Sequence, residues 1–243
     1  LYLLISFFLI RSAHAIDNIQ VHHKSCKTSY FNDTDLVPVS YKGANVINEK
    51  TGIRIMELTK EVNIPFRRTT SIEAETVSKN IPYAKIKFSN SILDFLQIFP
   101  LDFLRSQNDL CIVVVKQFSK YLVGFTLDNV IVVEADTSIL TVAHEMMHAI
   151  DLSKKNDDEM KAWSDINAKY KCPQIKRSMA STNEKFTGIS DCYASSYGGT
   201  NNLEDRAEVF ALMILDYYRL FTKTAPGSAL EEKVKSLKVY LKK

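Results

Sequence analysis

From Ile139 to Leu152 the chain is apolar on almost every side of a helix, apart from one polar stripe. Asp136, Thr137 and Ser138 stand just before it and offer side-chain oxygens to the open N–H groups of a helix start. At about 100° per residue, with His144 set at 0°, His148 falls at about 40°, Glu145 at about 100° and Asp151 at about −20°. Val142, Ala143, Met146, Met147, Ala149 and Ile150 cover most of the remaining surface, so the helix belongs in a core. Two imidazoles and a carboxylate buried together need partners, because an unpaired buried polar group is costly. His144-Glu145-Met146-Met147-His148 reads H-E-x-x-H, and imidazoles at this spacing converge on one Zn²⁺. Glu145 then stands beside the ion, placed as a general base for an attacking water.

A catalytic zinc needs a third protein ligand and an open position. The other histidines, His14, His22 and His23, all lie near the N-terminus, so the third ligand is expected to be a carboxylate. His22-His23 with Cys26 is read as a polar N-terminal stretch rather than a second metal site. A largely apolar helix expected from Leu203 to Phe221 offers Glu204 and Glu208, four residues apart on one face. That spacing does not choose between them.

Tyr197-Gly198-Gly199-Thr200-Asn201-Asn202-Leu203-Glu204 leads into Glu204-Asp205-Arg206-Ala207-Glu208, an E-x-x-A-E pattern. Together with His148-Ala149-Ile150-Asp151 after the first motif, these residues resemble the catalytic domains of anthrax lethal factor-like zinc metallopeptidases. That gluzincin-type group includes secreted Pro-Pro endopeptidases, and its members are toxins or processors of surface proteins. The resemblance implies that Glu204 is the third zinc ligand and that Glu208 orients a ligating histidine. It implies that Tyr197 donates a hydrogen bond to the oxyanion of the tetrahedral intermediate or to the leaving group; the alternatives are Tyr193 or no tyrosine. Asp151 either bonds a ligand histidine or caps its helix. The match covers two short motifs within about residues 130–221, and residues 16–125 carry none of it. Met146 and Met147 in the motif gap, and Arg206 where an aromatic residue is common, are departures expected to reshape the pocket.

The implied fold is α+β, a zincin-like metallopeptidase domain with a small mixed sheet, the H-E-x-x-H helix and a helical C-terminal lobe. Local patterns agree with strands and some helix first, then mostly helices. Strands are expected at Ile81–Phe88, at Cys111–Val115 and in a hairpin formed by Tyr121–Phe125 and Val130–Val133. Helices are expected before Pro100, from Asp157 to Tyr170, and after Ser228, where Ser228-x-x-Glu231 forms a capping box. Residues 16–80 give weak signals, and 171–200 read as a long polar loop. In zinc peptidases of this architecture a strand before the active helix pairs with extended substrate. Val130, Ile131, Val132 and Val133 are the candidate strand, with an interior sheet position as the other reading.

Leu1 to Ile10 is an apolar run followed by Ala13-x-Ala15, a small-x-small cleavage pattern. Residues 1–15 are therefore expected to be a signal peptide and 16–243 a single catalytic domain. Its N-terminal lobe covers about 16–125 and its motif-bearing part about 126–243. The run is too short to span a bilayer, so no stable membrane insertion is expected after cleavage. Export places the protein in a secreted or periplasmic setting, where cysteines pair. Cys172 and Cys192 flank a polar segment and are expected to close it, leaving Cys26 for Cys111. A net charge of +3 with no block of like charges gives nucleic-acid binding no support. The chain thus reads as an exported zinc endopeptidase acting on protein or peptide substrates. A non-catalytic zinc-stabilised binding protein on the same scaffold is the alternative, and a zinc hydrolase of non-peptide amides is a third reading.

Overall fold

A computed structural model describes residues 25–26, 28, 32–39, 42–59, 62–69, 74–81, 91–115, 124–153, 157–176 and 190–241. The expected signal peptide, and all but Ile81 of the strand expected at Ile81–Phe88, lie outside the described residues.

Two strands in the middle of the chain explain the sheet. β5 (Cys111–Val115) and β7 (Val130–Glu134) are runs of apolar, mostly β-branched residues without polar alternation. Such runs suit strands covered on both faces. In the fold they pair in parallel, Cys111 opposite Val130 and Val115 opposite Glu134. β2 (Arg54–Leu58) joins β5 in parallel, and β1 (Leu36–Pro38) joins β2 antiparallel. β6 (Gly124–Leu127) closes a hairpin onto β7. Its two-residue turn has Asp128 at φ 52°, a left-handed conformation that Asp tolerates better than most residues. The five-stranded order is β1-β2-β5-β7-β6, a small mixed sheet in an α+β molecule. β3 (Val62–Thr69) and β4 (Ala74–Ile81) form a separate antiparallel pair.

This order corrects one expectation. Val130, Ile131, Val132 and Val133 are an interior strand, each with no exposed surface, flanked by β5 and β6. The edge beside the motif helix is β6.

Alternation along β5 and β7 divides the core. Ile112, Val114, Ile131 and Val133 face a large helical cluster that runs from Val39 to Leu237. Cys111, Val113, Val115, Val130 and Val132 face a smaller cluster with Cys26, Leu36 and Leu58. The helices are α1 (Lys42–Thr51), α2 (Ser91–Leu96), α3 (Leu101–Ser106), α4 (Ile139–Ser153), α5 (Asp157–Lys169), α6 (Asn202–Leu215), α7 (Tyr217–Lys223) and α8 (Ala229–Tyr240). Ser228 Oγ accepts the Glu231 N–H at 3.2 Å and caps α8, while Glu231 Oε2 takes the N–H of Gly227 at 2.8 Å rather than that of Ser228, so only half of the expected box forms. None of the described helices is long and apolar enough to cross a membrane.

Both expected cysteine pairs are bonded, Cys26 with Cys111 and Cys172 with Cys192. The first ties an N-terminal segment to β5. The second closes the segment between α5 and the turn that precedes α6.

Candidate metal centre

Two helices distant in sequence build the centre. α4 brings His144 and His148 one turn apart, and α6 packs along it. The start of α6 is fixed by Asn201, whose Oδ1 accepts the N–H groups of Leu203 and Glu204, each at 3.0 Å. Glu204 therefore stands in the first turn, where the helix dipole favours a carboxylate.

His144 Nε2 and His148 Nε2 are 2.9 Å apart, and Glu204 Oε2 lies 3.0 Å from the first and 3.2 Å from the second. Two nitrogens and one oxygen close a small triangle, and these three residues form a group able to hold a metal ion. Exposures of 12% for the His144 side chain and 14% for those of His148 and Glu204 leave the group reachable from solvent.

The second carboxylate of α6 works from behind. Glu208 Oε1 lies 2.8 Å from His144 Nδ1. An ionised carboxylate only accepts, so Nδ1 donates its proton to Glu208, and a metal that displaced the Nε2 proton would meet the Nε2 lone pair. The pocket strongly favours positive charge. Burial works against a charged His144, but its hydrogen bonds with Glu204 and Glu208 and the fields of Glu145 and Glu208 outweigh that and push its pKa up to about 10. Burial would raise Glu204, yet hydrogen bonds from His144 and His148 and their charges hold it well below the usual carboxylate range.

Glu145 lies next to the triangle on α4 and is 8% exposed. The Thr126 hydroxyl of β6 is 2.8 Å from Glu145 Oε2 and 2.9 Å from the Glu145 carbonyl oxygen. Gly124, two residues earlier on the same face, permits this approach: a Cβ there would sit 3.0 Å from Thr141 Cγ2 and 3.2 Å from Glu145 Cγ. Tyr197 donates its phenol proton to Glu204 Oε1 at 3.0 Å, and its ring centroid is 5.9 Å from that of His144. The backbone after Tyr197 folds tightly, with the Thr200 hydroxyl and N–H both on the Tyr197 carbonyl at 2.8 and 3.1 Å. Tyr193, the alternative tyrosine, is buried with Lys233 Nζ 4.4 Å above its ring.

Asp151 pairs with Arg206, Oδ1 to Nε at 3.1 Å, both side chains 1% exposed. Arg206 lies at about 200° from Glu204 around α6, between the rings of Trp163 and Tyr240 at 5.6 and 4.6 Å. Its side chain is buried against Asp151, Trp163 and Tyr240, so this departure belongs to the core.

Thr126, Ser195 and Asn201 join the site from outside the H-E-x-x-H and E-x-x-A-E motifs. Asn201 carried a signal, an N-cap residue directly before an apolar helix. Thr126 and Ser195 carried none, because their partners are 19 and 13 residues away. Compared with protein-family models, curated proteins and solved structures, the chain gives no match.

Proposed function

We propose that this protein is an exported zinc endopeptidase of the lethal-factor-like type, on a zincin-like scaffold. The observation that carries the reading is the convergence of His144 Nε2, His148 Nε2 and Glu204 Oε2 at 2.9–3.2 Å, with Glu145 beside them. Tetrahedral ligands about 2.0–2.1 Å from an ion are separated by about 3.3 Å, so the triangle needs to open by only a few tenths of an ångström. Two imidazoles and one carboxylate suit zinc, whereas magnesium and calcium sites are built from oxygens.

Zn²⁺ held there supplies Lewis acidity, polarising a peptide carbonyl and easing the ionisation of water. Glu145, steadied by Thr126, accepts the proton of the attacking water. The Tyr197 hydroxyl, already 3.0 Å from Glu204, donates to the developing oxyanion or to the leaving group. β6 takes over the substrate-pairing role expected of β7. It is the last strand in the sheet order among the described residues, and it runs directly beside Glu145. Main-chain pairing there holds an extended peptide with little demand on its sequence. Two disulfides fit an oxidising compartment, secreted or periplasmic.

Glu145→Gln tests the reading. Peptide hydrolysis should fall by about 10³-fold while zinc content, measured by atomic absorption, stays at the parental value. Unchanged hydrolysis would refute the mechanism. A casein digest with and without chelator separates the enzyme from a zinc-stabilised binding protein, which cleaves under neither condition.

A further inference from the structure

Glu208 holds His144 in place, and Glu208 must itself be held. Ser195 Oγ lies 2.6 Å from Glu208 Oε2, and since a carboxylate only accepts, the serine donates. Ser195 is 3% exposed, so its hydroxyl is shielded from water, while the Glu208 side chain keeps 14% of its surface exposed. The serine oxygen in turn accepts the N–H of Gly198 at 3.1 Å. A chain of hydrogen bonds therefore runs from Gly198 N–H through the Ser195 hydroxyl and the Glu208 carboxylate to the His144 ring, ending at Nε2.

The position matters as much as the bond. Gly198 opens the short 3₁₀ turn Gly198–Thr200 that directly follows Tyr197. That turn sits hard against its neighbours: a Cβ on Gly199 would lie 2.5 Å from Ile175 Cδ1, and Ile175 N–H bonds the Gly199 carbonyl at 2.8 Å. Ser195 thus links a rigid turn next to Tyr197 to the carboxylate behind the metal ligand.

We infer that Ser195 is a positioning residue of the metal centre. It fixes the Glu208 carboxylate so that His144 keeps its Nδ1 proton on Glu208 and its Nε2 lone pair toward the metal. The inference rests on the zinc reading above. Removing its donor frees one oxygen of Glu208 to turn away, and outer partners of this kind change metal affinity by about 10–100-fold.

The test is the zinc affinity of the full chain, read by competition with a chromophoric chelator. Ser195→Ala should weaken zinc binding about tenfold. Ser195→Thr, which keeps a hydroxyl, should restore affinity to within about threefold of the parent. In a Glu208→Ala background the alanine at 195 should add less than about twofold, because the link is already cut. Parental affinity in Ser195→Ala, or an equal loss with and without Glu208, overturns the inference. Should the alanine variant not fold, Ser195→Cys, close in volume but only a weak donor, must show the loss; parental affinity there also overturns it. A parent chain that takes up no zinc would fail the zinc reading itself, and this inference with it, before any serine variant is compared.

Discussion

His144 meets a different carboxylate of α6 on each ring nitrogen, and the two contacts ask different things of Glu204 and Glu208. Glu204 offers a ligand atom, while Glu208 sets tautomer and aim. Glu208→Ala should therefore lower zinc affinity by about 10–100-fold, and Glu204→Ala by far more; chelator competition on both variants reads the order, and the reverse order would mean the wrong carboxylate was assigned. Protonation enters in the same place. In metal-free protein the His144 pKa is raised from 6.5 to about 10, so its stabilising contribution is full below 6.5 and lost as pH rises through about 10. Glu204 is depressed, so its contribution is present above its ordinary value of 4.5 and lost only as pH falls through its lowered one. Zinc must displace the His144 proton, so zinc affinity should climb about tenfold per pH unit between about pH 7 and 9. A pH-independent affinity over that range would contradict the pairing.

At the scale of elements, α6 carries chemistry on two faces. Toward α4 it presents Glu204 and Glu208. On its other side, Asp205 Oδ2 meets Lys233 Nζ of α8 at 2.6 Å and accepts Trp163 Nε1–H at 2.8 Å, with both charged side chains fully buried. Lys233 also donates to the Cys192 carbonyl at 2.6 Å, tying α8 to the segment that leads to Tyr197. Burial raises the Asp205 pKa and lowers that of Lys233 in spite of their attraction. Breaking such a pair strands a charge. Lys233→Met should cost about 3–5 kcal/mol in urea unfolding, and adding Asp205→Leu should recover a large part of it; a double variant no more stable than the single one would count against this account. Elements were unevenly legible in the sequence. The purely apolar Val130–Val133 run suits a strand covered on both faces, yet which strand ends a sheet is decided by long-range pairing that no local pattern carries. The helix expected to run from Leu203 to Phe221 breaks at Asp216, φ −142° and ψ 53°, because apolar periodicity continues on both sides of the break and hides it.

Across the whole molecule, the group able to hold a metal lies where the helices meet the sheet, and two disulfides brace that frame. The Cys172–Cys192 bridge spans 20 residues and leads into Tyr193–Tyr197; removing it with two serines should cost about 3 kcal/mol by thermal or urea unfolding. The Cys26–Cys111 bridge spans 85 residues, and its loss should cost more, between about 4 and 5 kcal/mol. Equal or negligible losses would mean that the bridges do not act through loop closure. The α+β class, both cysteine pairs and the residues of the metal group were readable in the sequence because short-range chemistry marks them: imidazoles one helical turn apart, an even cysteine set, paired carboxylates on an apolar helix. The strands between Leu36 and Ile81 were not. β1 has three residues, and β3 carries Pro65 and two arginines, so neither shows a clean alternation. The most direct test is anomalous diffraction at the zinc edge from crystals of the zinc-loaded protein. One peak should stand about 2.0–2.2 Å from His144 Nε2, His148 Nε2 and one oxygen of Glu204. No peak at that place, or a peak that Glu204 does not reach, would contradict the account.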